Sequence, residues 1–167
     1  MRKAEDFFAP EHRKIICEAL YVSEDIVNNY FWVSDRFWAK NSYEICTLKE
    51  AKGREYPGKS FAHLIIYSTD FWAKKGARDN HRHYRICLND FKMLQETAGG
   101  EKKHLFPLLI YILTHELIHI VRFAKFECLP VMDKKEIEER RVHELTQNML
   151  PLNKVKGLKQ VIDKFKH

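Results

Sequence analysis

Nowhere in the 167 residues is there a C-x-x-C pair. The cysteines Cys17, Cys46, Cys87 and Cys128 stand far apart. That excludes a paired-thiolate zinc finger and reads as reduced thiols in a cytoplasmic protein. The opening stretch MRKAEDFFAPEHRK has no apolar core, so it is not expected to act as a secretory leader. There is no internal repeat and no low-complexity tract. An uninterrupted membrane span is missing too. The longest apolar run, Leu105–Val121 (LFPLLIYILTHELIHIV), is broken by His, Glu and His, which suits a buried core helix and not a bilayer.

The residues that are present suit one domain covering 1–167. Hydrophobic residues make up 45 % and aromatics 13 %, enough for a dense core. The formal net charge is +6, unevenly spread. Lys74–Arg85 is strongly basic, and the tail from Asn153 to His167 carries five lysines against one aspartate. Such patches read first as solvated faces; nucleic acid is the partner they would otherwise serve.

The stretch with the most chemical content is His115-Glu116-Leu117-Ile118-His119, an H-E-x-x-H motif. On a helix, residues four apart stack one turn above each other. His115 and His119 can therefore grip one Zn²⁺ together, while Glu116 points a step round the helix and can act on water as general base. Three ionisable groups in so apolar a helix are costly unless something pairs them; a metal would.

The surrounding pattern predicts an amphipathic helix over 11–33, with Ile15, Ala19, Val22, Ile26, Tyr30 and Val33 on one stripe. Residues 61–69 and 84–88 read as neighbouring strands, His63 within the first being a core histidine. Residues 34–60 carry packing aromatics and a loop but no clear element. The metal helix is expected to start near Pro107, a favoured first-turn position, and to run to about Lys125. Asp133 and Glu136 resemble a capping box for a helix over about 134–150, with Val142, Leu145 and Met149 facing inward. Asn153 is expected to cap a last short helix.

A catalytic zinc needs a third protein ligand. The pattern H-E-x-x-H-x-x-G-x-x-H is excluded, because Arg122 and Lys125 occupy its last two positions. The helix over 134–150 offers Glu139, with His143 as the alternative and Glu138 or Glu136 behind them. His143, Tyr111, Arg140 and Arg141 are candidate transition-state stabilisers. His81 and His83 read as a solvated hairpin.

The order H-E-x-x-H, then a glutamate on the next helix, then a polar residue four further on resembles the gluzincin clan of zinc metallopeptidases. The resemblance covers Leu105 to Pro151 and implies an α+β, zincin-like fold in which the H-E-x-x-H helix packs on a glutamate-bearing helix beside a small sheet. It implies zinc bound by His115, His119 and Glu139, hydrolysis of a peptide or protein substrate, and Glu116 as base. His143 stands where the clan commonly has an aspartate. Met149-Leu150-Pro151 gives a weaker likeness to the ImmA/IrrE-type metallopeptidases, whose Glu-Ala-Asn signature is replaced by Glu139-Arg140-Arg141. The rival expectation is a non-catalytic zincin-like module that binds zinc and uses its basic surface for nucleic acid.

Overall fold

The protein was analysed as a computed structural model that describes residues 2–67, 82–126 and 134–166. The described elements are helix α1 (Pro10–Phe31), α2 (Asp35–Lys40), strand β1 (Asn41–Cys46), β2 (Ala62–Tyr67), β3 (Arg82–Leu88), and helices α3 (Asp90–Glu96), α4 (Lys102–Phe126), α5 (Lys135–Met149) and α6 (Leu158–Lys164), with short 3₁₀ turns at Ala4–Asp6 and Gly53–Glu55. The class is α+β.

The sheet order is β1-β3-β2. Strand β3 is central, antiparallel to β2 and parallel to β1. The expected pair of neighbouring strands is therefore present, and β1 is an addition the sequence pattern did not disclose. Six residues of mixed polarity (NSYEIC) give only Tyr43 and Ile45 to the core face, too few to stand out as an alternation. On the same face as Tyr43 and Ile45 lie Tyr84, Ile86 and Leu88 of β3 and Leu64 and Ile66 of β2, as a period of two requires.

The other face of the sheet carries a small apolar cluster of Cys46, Ile65 and Cys87 and, beside it, a polar network. Arg85 bonds Glu44 at 2.9 Å and Glu55 at 2.8 Å, and the Tyr67 hydroxyl donates to Glu55. His63 shares this face and is exposed rather than a core histidine. His83 meets the Ser42 hydroxyl at 3.0 Å. His81 and most of the basic stretch 74–85 lie outside the described residues, as do Cys128 and Asp133.

Helix α4 is the core of the molecule. It is long and apolar enough to cross a membrane by composition, yet Leu105, Leu109, Leu113, Leu117 and Val121 are all fully buried. Three contacts in register, Gly100 against His12, the Ser23 hydroxyl on the Ile110 carbonyl at 3.3 Å, and Lys125 on the Phe31 carbonyl at 2.8 Å, show α1 and α4 running side by side in the same direction. The small residues Ala19 and Ser23 and the branched Val27, none of them exposed, let the two backbones approach. Tyr30 is 49 % exposed, so the buried stripe of α1 is rotated from the expected one toward Ile16, Ser23 and Val27.

Pro107 is not at the first turn of the metal helix: α4 begins five residues earlier, at Lys102. Proline at 107 removes the N–H that would bond the Lys103 carbonyl. Gly157 fills the notch, its φ of +89°; a Cβ there would meet the Pro107 ring at 3.1 Å and the Lys103 carbonyl at 3.5 Å. The same glycine, not Asn153, caps α6. Helix α5 starts from Lys134 with no side-chain cap.

Candidate metal centre

Helices α4 and α5 lie antiparallel, clamped by three bridges in sequence order. The Tyr111 hydroxyl meets His143 Nδ1 at 2.9 Å. His115 Nε2 meets Glu139 Oε2 at 3.2 Å. Arg122 grips Glu138 with two hydrogen bonds, of 2.6 and 2.9 Å. The ladder fixes the antiparallel register of the α4–α5 pair: its rungs are one and two turns apart on α4, and on α5 they fall at His143, one turn away at Glu139, and at the adjacent Glu138.

The middle rung is the candidate site. His115 Nε2 and His119 Nε2 are 3.2 Å apart, and the Glu139 carboxylate lies 3.2 Å from the first and 3.1 Å from the second. Zinc bound tetrahedrally to nitrogen and oxygen at about 2.0–2.1 Å needs donor separations of about 3.3 Å. The separations are of that size, with the carboxylate meeting the two histidines through different oxygens, Oε2 toward His115 and Oε1 toward His119. Protons alone do not satisfy it. If each imidazole donated to Glu139, two N–H groups would face each other at 3.2 Å. If each instead aimed a lone pair inward, its N–H would sit on Nδ1, and both Nδ1 atoms are buried without a partner. A metal-bound histidine ordinarily donates that N–H to a neighbour; here no neighbour among the described residues takes it. The donor set is one that could hold a divalent cation.

The electrostatics separate the two histidines. Burial pushes His115 down to about 4, keeping its imidazole neutral. Burial opposes charge on His119 as well, but Glu139, Glu116 and Glu138 outweigh it and raise its pKa. Burial would raise the Glu139 carboxyl, yet the two histidines hold it well below the usual range, so it is a carboxylate.

Glu116 behaves differently. It is 8 % exposed and makes no hydrogen bond or ion pair among the described residues. Burial lifts it to about 7. The helix puts it beside the two ligand candidates without turning it into a third.

His143 lies one turn beyond Glu139. Its ring centroid is 4.6 Å from that of His115, and His115, Glu139 and His143 also offer ligand atoms all within 4.8 Å of one another. That set is looser than a tetrahedral edge. Glu138 is occupied by Arg122, and Glu136 is exposed in the first turn of α5. Arg140 and Arg141 line an outer groove with Ile137 and Leu145, so neither faces the histidines. Tyr111 is buried and supports His143. Phe165, which the sequence places on the apolar face of the last short helix with Val155, Leu158 and Ile162, caps the end of α6 and stacks on Tyr111 with centroids 4.4 Å apart.

No family model, no curated protein and no solved structure matches this chain.

Proposed function

We propose that the protein is a small zinc-dependent metallopeptidase of the zincin type, with His115, His119 and Glu139 as ligands and Glu116 as general base. The observation that carries this reading is the cluster of two imidazole nitrogens and one carboxylate, with contacts of 3.1–3.2 Å, beside a buried carboxyl that has no partner among the described residues. Zinc at such a donor set would polarise a scissile carbonyl and make a water easier to deprotonate.

The protein's own groups supply the rest. Glu116, lifted to about 7, has a proton affinity suited to taking a proton from water near neutral pH and returning it to the leaving amine. Glu139 contributes one negative charge, and its side chain is 41 % exposed, so the centre opens to solvent on the α5 side. The Tyr111 hydroxyl can donate to His143 Nδ1. That fixes the tautomer with its N–H on Nε2, a donor for the oxyanion that develops during attack. Among the described residues β2 pairs only with β3, and its free edge is available to an extended peptide.

One observation favours a second reading. If His143 joins as a fourth ligand, the centre closes, the zinc becomes structural, and the domain is a binding or regulatory module. The deciding comparison is Glu116→Gln against wild type. On the metallopeptidase reading the variant keeps its zinc, because Glu116 is not a ligand, and loses hydrolysis of an unstructured protein substrate. Equal cleavage by both proteins overturns the reading; zinc-loaded wild type that cleaves nothing favours the closed module.

A further inference from the structure

One cavity among the described residues lies apart from the histidines. It has a volume of about 860 Å³ and lies between the first turns of α4, helix α6 with the turn before it, and α3. Phe61, Phe106, Pro107, Val155, Val161 and Phe165 make its apolar wall. The lysines 92, 102, 103, 154, 156 and 164 ring it, and Glu96 is the single carboxylate in the lining. The volume is within the range of ordinary small-molecule sites, about 300–1,000 Å³.

The charges around it are unevenly satisfied. Lys102 pairs with Glu18 at 2.6 Å, Lys103 with Glu101 at 3.1 Å and Lys164 with Glu96 at 3.6 Å. Lys92 rests over the Phe61 ring at 4.2 Å and donates to the Lys59 carbonyl, but has no carboxylate. Lys154 and Lys156 make no ion pair among the described residues. Three cations thus stand at an apolar cavity without a counter-charge. A polypeptide is a poor match for the wall, because its amides would lose water and gain few partners there. A single unbranched hydrocarbon chain has no such groups to satisfy, and burying it is favourable in proportion to its area.

We propose that this cavity binds a free long-chain carboxylate, its tail lodged between α4 and α6 and its head group among Lys92, Lys154 and Lys156. The inference rests on apolar shape and charge complementarity alone and is independent of any hydrolytic activity.

Laurate, added below its micelle concentration to the full chain and followed by calorimetry, tests it. The expected result is saturable binding of one laurate per chain. Dodecyltrimethylammonium, with the same tail and the opposite charge, should bind at least about tenfold more weakly. Lys154→Glu combined with Lys156→Glu should weaken laurate by about tenfold; both side chains are exposed, so the fold is kept. Val161→Trp fills the cavity and should abolish binding while the circular dichroism stays that of wild type. Absence of saturable laurate binding, or equal affinity for the cationic probe, overturns the proposal. So does indifference to the lysine reversals. Attachment to vesicles containing anionic phospholipid without binding of monomeric laurate also overturns it, and would make this face a membrane contact instead.

Discussion

Glu139 and His143 are one turn apart on α5, and both reach the histidines of α4. Their distances separate their roles. Glu139 lies 3.1–3.2 Å from both Nε2 atoms, as a ligand sharing one tetrahedron must, whereas His143 is held by Tyr111. Glu139→Ala should therefore lose zinc nearly as badly as His119→Ala. His143→Ala should stay loaded and lose about 10–100-fold in affinity or activity, the usual effect of removing a group that supports a metal site. Competition with a chromophoric chelator reads both; an empty His143→Ala protein and a loaded Glu139→Ala protein would exchange the two assignments.

At the level of elements, the outer face of the sheet is organised around Glu55, which enters from the 3₁₀ turn Gly53–Glu55 and is 7 % exposed. The Tyr67 hydroxyl and the Arg85 guanidinium hold its carboxyl near 2, against about 4.5 for a free glutamate. Its folded pKa lies below its unfolded pKa. The stabilisation is therefore complete above about pH 4.5 and is lost as the pH falls toward about 2. By linkage this amounts to at most about 3 kcal/mol at neutral pH, before solvent screening of the pair reduces it. Glu55→Gln should remove up to that amount and flatten stability between pH 5 and 2.5, as measured by urea unfolding at a series of pH values. An acid slope identical to wild type would show that other carboxylates govern acid unfolding. The α4–α5 pair has its own device in the Arg122–Glu138 fork, whose side chains are 11 % and 18 % exposed. The residue that rules out a glycine-bearing metal motif is the one that locks α5 against α4.

For the molecule as a whole, metal binding and folding should be one equilibrium. The donor atoms come from helices separated in sequence, so the unfolded chain offers no preformed site, and binding energy becomes folding energy. At a free zinc concentration of about 100 times Kd, the gain is about 2.7 kcal/mol. For a chain of this size that raises Tm by about 5–10 °C. Differential scanning calorimetry of chelated and zinc-loaded protein measures it directly. An unchanged Tm, with His115→Ala behaving like wild type, would remove the metal from the account of this fold.

The sequence by itself determined the parts whose reasons are local. Four-residue spacing put His115 and His119 on one face of α4 and Glu116 off it, and an apolar run with three ionisable groups already required a partner for them. The helices α1, α4 and α5 and the strands β2 and β3 were legible because their apolar periods are strong. Tertiary structure decided the rest. Whether Glu139, His143 or Glu138 reaches the histidines depends on the rotation and register of α5 against α4, which the rungs through Tyr111 and Arg122 set and no spacing within α5 encodes. Strand β1 gains its identity from pairing with β3. Helix α4 begins ahead of Pro107, and Gly157, fifty residues later, packs into the notch that the proline leaves. The lysine-ringed cavity exists only because α3, α4 and α6 meet; along the chain its cations belong to separate and ordinary-looking basic stretches.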